Sequence, residues 1–343
     1  MTALPVQMET EWREAPQALR RQDAALTEPL AALAARLRQR PPALVVTCAR
    51  GSSAHAATFG KHLIERMLQI PVAAAAPNIA TVYRQRLKLK DQLLLAISQS
   101  GRSDDLVEQA AAARAAGAIT ACLVNDTGSP LAKACEIVLP MEAGTELAVA
   151  ATKTFVASLS ALARLAAAWA GDIALADALR RLPDRLAAAG ELDWSPALGS
   201  FAGAPSLVTI GRGPTLAIAR EASLKFKETC NLHAEAFSGA EFLHGPVALV
   251  STRYPLLLFM PGDAAEAGMQ QLARDLRDKG AAVFATEPGK PRPGRLPALD
   301  PDHPETDAIC LAQTFYGLIV PLAALLGTDV DRPRHLNKVT RTR

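Results

Sequence analysis

Residues 93–109, LLLAISQSGRSDDLVEQ, pass from an unbroken apolar run through a hydroxyl-rich loop into an acidic, helix-forming segment. A short, wholly apolar run bounded by Gly and Ser reads as a strand buried on both faces, the kind found in parallel sheets flanked by helices. The loop places Ser98, Ser100 and Ser103 around Gly101, and Asp104 and Asp105 open the helix that follows. Residues 43–68, ALVVTCARGSSAHAATFGKHLIERML, repeat the pattern of apolar strand, Gly-Ser loop and helix. Further strands are expected at PVAAAA (71–76), ITACLVND (119–126) and CEIVLPM (135–141), with helical segments between most of them. Strands alternating with helices predict an α/β fold with a doubly wound parallel sheet.

The order begins again in the second half. Residues 206–228, SLVTIGRGPTLAIAREASLKFKE, match the first strand-loop-helix unit, PLLLFM (255–260) takes the place of the 93–97 run, and AAVFATE (281–287) follows. Two tandem, flavodoxin-like α/β domains are therefore expected, an internal duplication of weak identity. The expected organisation is an N-terminal helical segment (1–40), a first domain (41–190), a second domain (191–330) and a C-terminal tail (331–343). Leu26, Leu30, Leu33 and Leu37 recur at helical spacing in the first segment, before Pro41 and Pro42 end the pattern.

Bulk composition narrows the function classes. At 343 residues the chain exceeds what one core usually serves. Its 37 basic and 34 acidic residues are interspersed and only 4% of residues are aromatic, so no basic stripe with stacking platforms addresses nucleic acid. The apolar stretches are interrupted by charge, as Arg164 and Asp172 do around LAAAWAG, so no membrane span is expected. The N-terminus lacks a secretory pattern, which makes the cytoplasm the expected location. Cys48, Cys122, Cys135, Cys230 and Cys310 are widely spaced with no metal-binding pattern, and read as small buried hydrophobes.

In an open parallel sheet, ligands sit beyond the carboxyl ends of the strands. Ser52, Ser53 and the loop from Ser98 to Ser103 fall there, each before a helix whose unpaired amides and positive dipole end favour an anion. Gly51 and Gly101 allow close backbone approach, so the two loops could cradle a phosphate monoester without a lysine. A single Ser-Gly usually means a turn or cap; two such loops at corresponding strand ends favour phosphate. Neither is a nucleotide fingerprint.

In the second half, Glu221, Lys225 and Glu228 share one helix face, either as a solvated stripe or as part of a site. His233, Glu235, Glu241 and His244 follow among small and aromatic residues, which favours a lined acid/base pocket.

Five stretches in order carry a resemblance: GSS (51–53), SQSGRS (98–103), AGTELAVAATKTF (143–155), LKFKETCNLHAEAFSGAEFLHGP (224–246) and GTDVDRPRHLNKVT (327–340). Together they resemble the tandem sugar isomerase (SIS) domains of the glucosamine-6-phosphate synthase family, and most of all its stand-alone deaminase relatives. The resemblance implies that Ser53, Ser98, Gln99, Ser100 and Ser103 hold the phosphate of a sugar phosphate, with Val149 contributing backbone. It implies that Glu228 shuttles a proton between the first two sugar carbons and that Lys225 touches the substrate oxygens nearby. It further implies that His244 opens the ring from a neighbouring subunit, and that Lys338 forms a Schiff base with the ketose. A homodimer with composite sites follows, with no cofactor.

The chain departs from the family where Ala151 replaces a hydroxyl and Ser103 replaces a threonine. Only residues 1–40 precede the first strand, and Cys48 lies within it, so no glutaminase domain is expected. The implied activity is deamination of glucosamine 6-phosphate to fructose 6-phosphate and ammonia. The alternatives are a fructosamine-6-phosphate deglycase or another amino-sugar-phosphate isomerase and, more distantly, a non-catalytic phosphosugar sensor.

Overall fold

A computed structural model describes residues 6–289 and 292–338. The chain forms two compact units. One, the serine unit, comprises Gln17–Glu146 and Lys153–Leu179 with Asn337 and Lys338; the other, the glutamate unit, comprises Leu147–Thr152 and Arg180–Leu336 with residues 6–16. The N-terminal segment is helical as expected but broken at Glu14 into α1 (Gln7–Arg13) and α2 (Ala15–Gln39).

In the serine unit the order is β1 (Val45–Ala49), α3 (Gly51–Leu68), β2 (Val72–Ala74), α4 (Asn78–Thr81), β3 (Leu93–Ser98) and α5 (Asp104–Ala115). Then come β4 (Ile119–Val124), α6 (Pro130–Ala134), β5 (Ile137–Pro140) and α7 (Lys153–Ala170), and α8 (Ile173–Ala189) begins here and ends in the glutamate unit. All pairings are parallel and the strand order is β2-β1-β3-β4-β5. Every residue of β3 and β4 is buried, because helices cover both faces. One face packs Val46, Leu94, Ala96, Leu106, Cys122 and Leu131 into a continuous cluster. The order reverses between β1 and β3, and Val45 through Ala49 run in register with Leu93 through Ile97. Their carboxyl ends therefore sit side by side, about 4.8 Å apart.

The glutamate unit contains α9 (Leu198–Ala202), β6 (Ser206–Gly211), α10 (Thr215–Cys230), β7 (His233–Ser238), α11 (Gly239–Phe242) and β8 (Pro255–Leu258). They are followed by α12 (Glu266–Asp278), β9 (Ala282–Pro288), β10 (Arg295–Ala298) and α13 (Pro304–Leu325). Its sheet is also parallel, in the order β10-β9-β8-β6-β7. The expected pair of doubly wound parallel sheets is thus present.

Three expectations change. The stretch 231–246, read as a lined pocket, contains β7, an edge strand whose alternation leaves His233 and Glu235 exposed and Ala234 buried. Glu241 and His244, in the segment after β7, are exposed as well, so within one chain this run of charge marks a sheet edge and its following turn rather than a pocket wall. Second, β10 escapes sequence reading because Pro297 interrupts its short apolar pattern. Third, α13 is long and apolar enough to cross a membrane, contrary to the expectation that no stretch is, because its charges, Glu305 and Asp307, are confined to its first turn. Its side chains are largely buried, and Phe315 packs edge-on to Phe226 and Phe259 as a core helix does.

All five cysteines are free and buried. Burial pushes the Cys48 thiol up to about 12 and that of Cys230 to about 11, so they serve as core hydrophobes.

Gly101 tests the serine loop. Its φ of +61° suits glycine, and a Cβ there would collide with Oγ of Ser129, the buried N-cap of α6. Gly101→Ala is expected to destabilise the chain by more than about 1–2 kcal/mol, the backbone cost alone, as a lowered denaturation midpoint.

Candidate active site

Two helix N-termini meet the β1/β3 switch point of the serine unit, where an open α/β sheet offers its crevice. α3 starts behind Arg50 and α5 behind Ser103, and neither N-cap side chain bonds the helix amides. Ser103 is therefore not spent as a cap, which removes the commonest structural reason for a serine at that position. Ser98 Oγ accepts from the Gly101 amide at 3.1 Å, and Ser100 Oγ accepts from the Arg102 amide at 3.3 Å. Both hydroxyls act only as acceptors within the loop, so their protons can be donated outward. Ser52 and Ser53 lie half-buried in the first turn of α3. Gln99 is anchored by its backbone carbonyl, which accepts from the Asn125 amide at 3.2 Å.

The two loops are tied by a contact that sequence reading missed. Arg50, at the end of β1, donates through Nε and Nη2 to Oδ2 of Asp105 at 3.0 and 2.7 Å. Asp105 is buried in the first turn of α5, and the arginine offsets its charge where an anion would bind. The pairing was invisible in sequence because the partners are 55 positions apart.

The glutamate unit holds the acid/base constellation. Lys225 is fully buried, with Nζ 3.1 Å from Glu221 and 2.5 Å from Glu228. Glu221 is 1% exposed and Glu228 20%, so the trio is no solvated stripe: it runs from the interior to one half-buried carboxylate. Burial pulls the Lys225 ammonium down, but the charges of Glu221 and Glu228 outweigh it and hold the pKa above the ordinary lysine value. Glu228 borders a pocket of about 570 Å³ together with Asn231, Thr328, Asp329 and Arg332.

The remaining expected residues fall elsewhere. Glu228 lies in the last turn of α10, just before the start of β7, whereas His244 follows the end of that strand. About 17 Å of strand separates those two ends, so one chain does not bring its own His244 to its Glu228. Lys338 belongs to the serine unit, where its Nζ lies 3.0 Å from Oε2 of Glu146. Glu146 is fully buried and also accepts from the Thr154 hydroxyl at 2.6 Å and its amide at 3.1 Å. Lys338 is thus held as an ion pair rather than as a free amine. Glu146 was legible only as part of AGTELAVAATKTF, with nothing in the sequence to mark it as buried. The Val149 amide donates to the Asp331 carbonyl at 3.2 Å within the glutamate unit. No group of three or more His, Cys, Asp or Glu suited to a metal ion occurs among the described residues.

The SIS domain model matches residues 42–168 and 200–285, so the chain belongs to the SIS domain family. A Silicibacter pomeroyi protein classed as a phosphosugar isomerase is similar over 95% of this chain and 100% of its own, with 44% identity and a TM-score of 0.90. The glutamine–fructose-6-phosphate aminotransferase (isomerizing) of Symbiobacterium thermophilum is 33% identical over 89% of this chain and 52% of its own length. The chain thus spans about half the length of the curated relatives it matches. A glucosamine-6-phosphate deaminase from Thermotoga maritima shares the fold, with a TM-score of 0.78 at 20% identity over 98% of this chain and 100% of its own.

Replacing Lys225 by Met removes the countercharge beside buried Glu221 and is expected to cost about 3–5 kcal/mol in denaturant unfolding, most of it recovered in Lys225→Met/Glu221→Gln. The pH dependence has a definite sign. A lysine whose folded pKa is raised contributes stability that is complete below its unfolded value of 10.5 and declines as pH climbs through the folded value. The wild-type contribution therefore persists through neutral pH and fails only in strong alkali, and Lys225→Met lacks that alkaline loss.

Proposed function

We propose that the chain deaminates glucosamine 6-phosphate to fructose 6-phosphate and ammonia. The observation that carries this reading is the Glu221–Lys225–Glu228 trio, with its one half-buried carboxylate on a pocket. A carboxylate fixed by a buried lysine is positioned to take a proton from one carbon and return it to the next. The serine loops suit the phosphate of such a sugar, since aimed amides and hydroxyls favour an anion. Glu228 moves the proton from carbon two to carbon one of the opened chain. The resulting imine takes up water at carbon two, and the carbon–nitrogen bond breaks to release ammonia. Lys338, engaged by Glu146, is left out of the bond-making steps, because the substrate supplies its own amine.

Ring opening falls to His244 of a second copy. Two features support a homodimer: the separation of Glu228 from His244 along β7, and the exposed apolar residues Leu243 and Leu249 that flank this histidine. A two-fold interface built on this segment delivers one histidine to each opposing site.

Ammonia release from glucosamine 6-phosphate, scored beside galactosamine and fructosamine phosphates, tests the substrate. Glu228→Gln is expected to lose about 10²–10⁴ in kcat. Release from none of the three, or equal release by the variant, refutes the reading. Mixing inactive Glu228→Gln and His244→Ala subunits should restore about a quarter of wild-type activity, because random pairing rebuilds one intact site per heterodimer. Full activity in His244→Ala alone contradicts the shared site.

A further inference from the structure

The sheet of the glutamate unit has a cavity of its own. It encloses about 340 Å³ beyond the carboxyl ends of β8, β9 and β10, the side of an open α/β sheet on which ligands bind, and that volume suits a small molecule. All of its walls belong to the glutamate unit, and none of its lining residues takes part in the proposed reaction. One wall is a single face of α13, where Asp307, Cys310, Leu311 and Thr314 recur at helical spacing. Met260, Leu299 and Leu311 supply apolar surface. Burial pushes the Cys310 thiol up to about 12, so it adds no charge.

The charge of the cavity is one-sided. Three carboxylates, Asp263, Glu266 and Asp307, line it against one cation, Arg185. That guanidinium is already engaged, its Nη2 donating to Asp307 Oδ1 at 2.8 Å and to the Asp300 carbonyl at 2.7 Å. Asp263 and Glu266 have no cationic partner among the described residues. Each instead accepts a backbone amide of its own loop, Asp263 Oδ1 from Ala265 at 2.8 Å and Glu266 Oε2 from Gly262 at 3.1 Å, which fixes both carboxylates and leaves their charge unmatched. The positive end of α12, about half a unit charge, offsets only part of it. Thr286 adds an independent observation. Its side chain is 1% exposed and its hydroxyl accepts from the Met260 amide at 2.9 Å, yet the hydroxyl proton has no acceptor among the described residues. A ligand oxygen would complete that buried donor.

We propose that this cavity binds a small organic cation: a primary ammonium on an aliphatic frame that also carries one uncharged oxygen acceptor. The ammonium meets Asp263 and Glu266, the aliphatic part lies on Met260 and Leu311, and the oxygen accepts from Thr286. A carboxylate on the ligand is disfavoured, because the two unmatched protein carboxylates repel it.

Calorimetric titration of the full chain with three probes, in mildly acidic buffer that keeps the amines protonated, tests the proposal. The probes are leucinamide, isocaproamide, which lacks the amine, and isoamylamine, which lacks the carboxamide. Leucinamide is expected to bind about 10-fold or more tightly than isocaproamide. In Asp263→Asn/Glu266→Gln that ratio should fall to near one; both replacements still accept the same backbone amides, and thermal melts verify that the fold is kept. Thr286→Val should erase the margin of leucinamide over isoamylamine, and Thr286→Ser should keep it. Equal binding of leucinamide and isocaproamide by the wild type, failure of all three to bind, or an ammonium preference that survives the Asn/Gln double variant overturns the inference. Binding is measured without turnover, so these outcomes are separate from those of the ammonia-release assays.

Discussion

The acid/base trio of the glutamate unit is organised around one buried ammonium. Lys225 has no access to water and sits between two carboxylates of its own helix, Glu221 inside and Glu228 at the boundary. An isolated buried charge is expensive, and a buried pair offsets that expense only when its geometry is good. Here the helical spacing of four and three residues supplies the geometry without any tertiary adjustment. The consequence is a Glu228 that is partly exposed yet fixed in orientation, unlike an ordinary surface glutamate. Buried trios of this kind contribute little to stability compared with a hydrophobic filling, so their presence points to a use.

The serine unit solves a different problem with neutral groups. Two helix N-termini, two glycines in left-handed backbone and a set of hydroxyls converge where strand order reverses, and Arg50 on Asp105 ties the two loops together. Such a site binds through aimed amides and hydroxyls, with little net charge to attract unrelated anions. The sheet of the glutamate unit shares the topology but not the chemistry. Its loops after β6 and β8 carry Arg212, Gly213 and Pro214, and Pro261 and Gly262, in place of serines. The duplication therefore kept the scaffold but not the residues at its strand ends.

How much of this was legible in the sequence follows from how local each signal is. The buried strands at Val45–Ala49 and Leu93–Ser98 and the serine loops were legible, because an apolar run, a Gly turn and a helix start are all read within a dozen residues. The helical spacing of Glu221, Lys225 and Glu228 was legible as well, but not its burial, which is set by α13 packing against α10 from almost a hundred positions away. For the same reason Arg50–Asp105 and Lys338–Glu146 could not be read: each joins distant segments through charge, which has no periodicity. The edge strand β7 was obscured because its exposed His233 and Glu235 mimic the composition of a polar site. The pairing of β10 with β9 was hidden by a proline tolerated only at a sheet margin.

The central claim is that the Glu228 carboxylate removes the hydrogen on carbon two of a phosphorylated amino sugar. The direct measurement is the loss of deuterium from glucosamine 6-phosphate labelled at carbon two, followed by nuclear magnetic resonance with wild type and Glu228→Gln at equal concentration. The account predicts rapid loss with the wild type and a rate about 10²–10⁴ lower with the variant. Equal rates for the two proteins, or a label that stays at carbon two while the wild type turns the sugar over, would contradict it.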